Sequence, residues 1–237
     1  MPHPQNSTSC LPYQTTAVLF DLDNTLLDRD ASFRAWAEVF VQNHFSAEAG
    51  REEIMQRIIT LDNHGLTLKE SFFAQVRQAY PSLQISVEQL VAHFRQEFHR
   101  YSVPAEGMYS LLHTLRDVHI PFGIVTNGST QLQLNKIERL GLDKLTSCIF
   151  ISQSFGAKKP AASIFLSAAN YLDRQPENVL FVGDNPQNDI WGAHEVGMGT
   201  VWLQNFCPWP AHIPRSIADI TISSLSELST YPGFAQR

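Results

Sequence analysis

Short, continuously apolar stretches separated by helical patterns constrain this chain more than any other feature. From about residue 105 the rhythm is regular. A helix around Tyr109–Val118 leads into Phe122–Val125, and a helix at Gln131–Leu140, stopped by Gly141, leads into Ile149–Ser152. A helix at Ser163–Leu172 precedes Val179–Val182, and one near Asp189–Val196 precedes Thr200–Leu203, with a weaker strand at Ile220–Ile222. Strands without polar alternation are buried on both faces, and intervening helices make their neighbours parallel. Ala17–Phe20 has the same character and belongs to the same sheet.

A long helical block follows that first strand. Phe33, Trp36, Ala37, Phe40 and Val41 form one apolar stripe; Ile54, Ile58 and Leu61 form a second that stops at Gly65. Leu68, Phe72 and Val76 are closed off by Pro81, and Leu90, Val91, Phe94 and Phe98 follow. Amphipathic helices in succession with short links make a small bundle. The expected organisation is a polar tail at 1–14, an α/β core from 15–28 and 105–237, and a helical-bundle cap at 29–104 whose flanking segments act as hinges.

Composition narrows the function classes. The 237 residues exceed a typical single domain of about 100–150, and 43% are hydrophobic, enough for a real core. A net charge of −6 without a basic run argues against nucleic acid as the main partner. No apolar stretch approaches the roughly 18 residues of a spanning helix, and the N-terminus lacks an apolar leader segment, so no membrane partner is expected. Cys10, Cys148 and Cys207 are odd in number and lack metal-type spacing, which points away from disulfides and towards a cytoplasmic protein.

The chemistry gathers at strand ends, where ligands of open parallel sheets bind. The first strand delivers Asp21 and Asp23, the strand ending at Val125 delivers Thr126, Asn127 and Gly128, and the strand ending at Val182 delivers Gly183 and Asp184, with Asp189 soon after. The loop after Ser152 adds Lys158 and Lys159. Two carboxylates about 4 Å apart repel by roughly 4 kcal/mol at an effective dielectric near 20. A cluster of them requires a proton or a cation, and oxygen ligands without His or Cys suit a hard ion, with Mg²⁺ expected. Asp21 can then act as a carboxylate nucleophile and Asp23 as general acid and base. Thr126, the amides around Asn127 and Gly128, and Lys159 can hold phosphoryl oxygens.

DLDNT at 21–25, TNG at 126–128, Lys159 in KKP and GDNPQND at 183–189 resemble, in order, the four motifs of the haloacid dehalogenase superfamily. The helical block resembles that superfamily's C1 cap. The resemblance implies a Rossmann-like, three-layer α/β core with an inserted all-helical cap, acting on a small phosphorylated metabolite through an aspartyl-phosphate on Asp21. It implies Thr126 as phosphate-binding, Lys159 as orienting nucleophile and phosphate, and Mg²⁺ held by Asp21, the Asp23 carbonyl and Asp184. Asp189 would ligate the ion directly, through water, or hold Lys159. One departure stands out: Lys159-Pro160 is followed by Ala161 where family members often carry an acid. Phosphomutase, haloacid dehalogenase and a non-catalytic phospho-ligand binding protein share the fold. Asp23 disfavours the dehalogenase, since a departing halide needs no acid, and an idle binding protein would be expected to have lost a key residue. A receiver-like signalling domain is about half this length and lacks the helical insert.

Overall fold

The computed structural model describes residues 15–46 and 50–229. The tail expected at 1–14, with Cys10, lies outside the described residues. In chain order, β1 (Ala17–Phe20) and the short β2 (Leu27–Asp28) lead into α1 (Arg29–His44), α2 (Arg51–Asp62), α3 (Lys69–Ala79) and α4 (Val87–Glu97). The chain returns through β3 (Val103–Pro104) to α5 (Met108–Asp117), β4 (Phe122–Thr126), α6 (Thr130–Arg139) and β5 (Ile149–Ile151). Then come α7 (Ser152–Phe155), α8 (Ala162–Tyr171), β6 (Val179–Gly183), a π-helical turn (Pro186–Trp191) and α9 (Gly192–Glu195). The last elements are β7 (Gly199–Leu203), β8 (Ile220–Ile222) and α10 (Leu225–Ser229).

The chain forms two compact units. The first comprises residues through Leu26, Ala105–Gly128 and the chain from Lys144 onward. Its sheet runs β5-β4-β1-β6-β7-β8, with every adjacent pair parallel. Along β1 the side chains alternate between faces. Ala17 and Leu19 pack with Phe165, Ala168 and Ala169 of α8, while Phe20 meets Phe122 edge-on on the other side at 6.3 Å between ring centroids. α5, with Leu111, Leu112 and Leu115 buried, also flanks the sheet. The chain leaves β1 for β4 on one side and leaves β6 for β7 on the other. The carboxyl ends of β1 and β6 therefore border a topological switch point, where open sheets hold ligands.

The second unit comprises Leu27–Pro104 with Ser129–Asp143. Asp28 caps α1 by accepting the Ala31 N–H at 2.9 Å, and Ser86 and Gln89 close a reciprocal capping box on α4. The helices bury one aromatic core in which Trp36 stacks on Phe40 and meets Phe94 edge-on, both at 4.9 Å, while Phe33 meets Phe72 at 5.7 Å. α6, which helix–strand alternation assigns to the sheet core, groups here: Leu132 packs against the aromatic core and Lys136 Nζ lies 5.5 Å from the Phe98 ring. The two linkers pair as an antiparallel ribbon, Leu27 opposite Pro104 and Asp28 opposite Val103.

A buried polar cluster anchors this unit. Asp62 receives both guanidinium nitrogens of Arg29 at 2.6 and 2.9 Å, Lys69 Nζ at 2.7 Å and the Gly65 amide at 2.9 Å. None of the described helices is long and apolar enough to cross a membrane. Asp62→Ala leaves the buried Arg29 and the half-buried Lys69 without their carboxylate and is expected to lower stability by about 3–5 kcal/mol. Glu70→Ala, which breaks an exposed 2.9 Å pair with Arg95, is expected to cost less than about 1 kcal/mol. Urea denaturation of both variants checks the contrast; equal losses would reject it.

Candidate active site

The strand ends bring most of the expected side chains together. β1 runs straight into Asp21, whose amide donates to Val182 O of β6 at 2.9 Å, so the aspartate leaves the sheet beside the end of β6. Asn24, at φ 60°, lies in the turn after Asp23, which is half-buried. β4 ends on the buried Thr126, and β6 ends on Gly183 with the buried Asp184 next.

Asp189 arrives by a route that helical periodicity does not reveal. A regular helix is expected near 189–196, but the chain first makes a π-helical turn over Pro186–Trp191. Asn185 caps it, accepting the amides of Gln187 and Asn188 at 3.1 and 2.9 Å. The wider turn carries Asp189 inward, where its Oδ2 accepts the Asn185 amide at 3.0 Å. Gly183 is required for this approach, because a Cβ there would lie 2.5 Å from Asp189 Cβ and Oδ2.

Lys159 sits among these acids, only 2% exposed. Its Nζ donates to Asp21 Oδ1 at 2.6 Å and pairs with Asp189 Oδ1 at 2.7 Å. Asn127 fixes the backbone that presents this ammonium: its Nδ2 donates to Lys159 O at 3.0 Å and its Oδ1 accepts Lys159 N–H at 2.9 Å. The Asn127 side chain is thus committed to Lys159. Lys158 is exposed, as expected of a solvated neighbour.

Oxygens of Asp21, Asp184 and Asp189 all lie within 4.8 Å of one another and are buried. One ammonium faces three carboxylates, so with all three ionised two negative charges stay unbalanced even before Asp23 is counted. Burial pushes Asp21 up to about 7; Lys159 opposes the shift and Asp189 adds to it. Asp184 is also raised well above the usual carboxylate range, by burial and then by Asp189 and Asp21. For Lys159, burial works against the charged form, but Asp189 and Asp21 outweigh it and hold the ammonium protonated. An all-oxygen donor set with surplus negative charge fits a hard dication such as Mg²⁺.

Two neighbours of Asp184 have no part in the site as read from sequence, which gives Trp202 a packing role near the rim and Asn205 none. Trp202 Nε1 donates to Asp184 O at 3.0 Å, and Asn205 Nδ2 donates to Asp184 Oδ2 at 3.2 Å. Both belong to the end of β7, the strand end to which no polar residue was assigned; the same rule applied there would have found Asn205.

Residues 18–203 match the family of haloacid dehalogenase-like hydrolases. The chain belongs to this family. Curated relatives of this hydrolase include the glyceraldehyde 3-phosphate phosphatase of Methanopyrus kandleri, 31% identical over 198 residues covering 79% of this chain and 83% of that protein. Pyrimidine 5'-nucleotidase YjjG of Escherichia coli is 31% identical over 223 residues covering 89% and 95%. Among solved structures, the hydrolase YfnB of Bacillus subtilis shares the fold, with a TM-score of 0.72 at 22% identity over 92% of this chain and 98% of that one.

The raised acids fix a pH dependence. Between about 4, where unfolded carboxylates titrate, and about 7 for Asp21, the folded hydrolase without metal holds protons that the unfolded chain has released. Stability therefore falls as pH rises through that window. In EDTA the melting temperature is expected to be lower at pH 8 than at pH 5, and Asp184→Asn should shrink the difference. A variant with an undiminished difference would show that acid repulsion is not its source.

Proposed function

We propose that this hydrolase is a Mg²⁺-dependent phosphatase that cleaves small phosphorylated metabolites in the cytoplasm through an aspartyl-phosphate on Asp21. The observation that carries the reading is the buried Asp21 carboxylate, held at Oδ1 by Lys159 and crowded by Asp184 and Asp189. The curated relatives named as a glyceraldehyde 3-phosphate phosphatase and a pyrimidine 5'-nucleotidase support the reaction class.

Asp21, Asp184 and the carbonyl of Asp23 would hold Mg²⁺, with Asp189 adding charge while it steadies Lys159. Bound there, the ion neutralises charge shared by the carboxylates and the phosphoryl group. A carboxylate held at one oxygen cannot swing, so Asp21 is pre-aimed. Its oxygen attacks phosphorus and forms the acyl phosphate as the bond to the ester oxygen breaks. Asp23, half-buried, gives its proton to that departing oxygen. It then takes a proton from water, which attacks the same phosphorus, breaks the bond to Asp21 and releases inorganic phosphate. Thr126 and the backbone amides of Asn127 and Gly128 donate to phosphoryl oxygens, and the Lys159 ammonium offsets their charge.

Hydrolysis of p-nitrophenyl phosphate is expected with added Mg²⁺ and not in EDTA. Asp21→Asn should abolish turnover, and Lys159→Met should lower kcat by about 10²-fold or more. Turnover by Asp21→Asn, or activity indifferent to chelation, would overturn the mechanism. Gly183→Ala, which crowds Asp189, should lower kcat; a variant with unchanged kcat would show that the close approach is dispensable.

A further inference from the structure

Asp184 is held from two sides by the end of a strand that no motif includes. β7 stops at Leu203, and Gln204 continues the pairing by donating its amide to Ile222 O at 2.8 Å. The next residue, Asn205, donates through Nδ2 to Asp184 Oδ2 at 3.2 Å, while its Oδ1 accepts the Cys207 amide at 3.0 Å. The second bond sets the orientation of the amide. With Oδ1 committed to a backbone N–H, the NH₂ end must face the carboxylate. Three residues earlier, on β7 itself, the buried Trp202 donates Nε1 to Asp184 O at 3.0 Å, which steadies the aspartate's backbone.

The loop beyond packs around the Trp202 ring. Trp202 meets Trp209 edge-on at 4.8 Å, Arg215 lies over the two rings at 5.4 and 5.7 Å, and Trp209 Nε1 donates to Ile213 O at 2.7 Å. Asp184 thus has its carbonyl engaged by Trp202 of β7 and one carboxylate oxygen engaged by Asn205 of the loop that follows. A hydrogen bond at one oxygen restrains the rotation of a carboxylate, and with it the direction in which the other oxygen presents its lone pairs. Partners of this kind behind a metal ligand tune affinity by about 10- to 100-fold.

From this geometry we infer that Asn205 is a positioning residue for Asp184, setting the affinity of the acid cluster for Mg²⁺ without touching the phosphate ester. The inference rests on the reading of that cluster as a Mg²⁺ site. It assigns to the β7–β8 loop a part in metal binding, and it separates two effects that a loss of fold would merge. Removing the Asn205 donor frees the Asp184 carboxylate to rotate, which weakens the ion's hold and leaves the groups that bind the ester where they are.

Isothermal titration of the whole chain with MgCl₂ alone tests it. Asn205→Ala is expected to raise the Mg²⁺ Kd by about tenfold or more, and Gln204→Ala, one residue earlier and exposed, to leave it unchanged. At saturating Mg²⁺ the KM for p-nitrophenyl phosphate should match the unaltered protein. Should Asn205→Ala fail to fold, Asn205→Ser, which retains an acceptor for the Cys207 amide, carries the same test. Unaltered Mg²⁺ affinity in the folded variant overturns the inference and leaves the metal reading standing. Absence of Mg²⁺ binding by the unaltered protein overturns that reading and the inference together.

Discussion

The interaction on which the rest depends is a buried ammonium set among carboxylates that would otherwise repel one another. Lys159 Nζ lies 2.6 Å from Asp21 and 2.7 Å from Asp189, with Asp184 close by, all at the rim where β1 and β6 end. Burial strengthens the attraction and the repulsion alike, because little water remains to screen either. One positive charge cannot satisfy three negative ones, so the arrangement stays electrostatically open. Structural elements around it serve to keep it so: the π-turn that carries Asp189 inward, the bare Gly183 beneath it, the Asn127 clamp on the Lys159 backbone and the Trp202–Asn205 hold on Asp184.

The helical unit shows what a closed polar cluster looks like by comparison. Each oxygen of Asp62 accepts two hydrogen bonds, from Arg29 and Lys69 on one and from Arg29 and the Gly65 amide on the other. Its partners lie on the start of α1, the α2–α3 turn and the start of α3, so the cluster ties those segments together. Both sites bury charge; they differ in saturation. At Asp62 two cations face one carboxylate, whereas at the rim one ammonium faces three, and that difference separates an anchor from a site able to take up a further cation.

How much was legible follows from which residues each feature needs. The strands were readable to within a residue or two because doubly buried strands are apolar without interruption. Asp21, Thr126, Asp184 and Lys159 were readable because each stands just past such a strand or in the loop after one, so locating the strand locates the residue. The stripe Phe33, Trp36, Phe40 was readable because 3.6-residue spacing survives in the sequence alone. The grouping of α6 with the helical unit was not, since it rests on contacts between Leu132 or Lys136 and side chains some thirty to a hundred positions earlier. The linker ribbon of Leu27–Asp28 with Val103–Pro104 was hidden for the same reason.

By itself the sequence determined the α/β class, the insertion of helices after the first strand, and the identity of the acids and the lysine that meet at the rim. Those are local matters: apolar run length, helical spacing and residue type at strand ends. Tertiary structure alone decided strand order, and with it the adjacency of β1 and β6 that sets Asp21 beside Asp184. It also decided that the Asn127 side chain serves Lys159, that Asp189 enters through a π-turn, and that Asn205 faces Asp184. Hydrogen bonds of this sort join residues 20 to 140 positions apart or depend on one extra residue in a turn, and no periodicity encodes either.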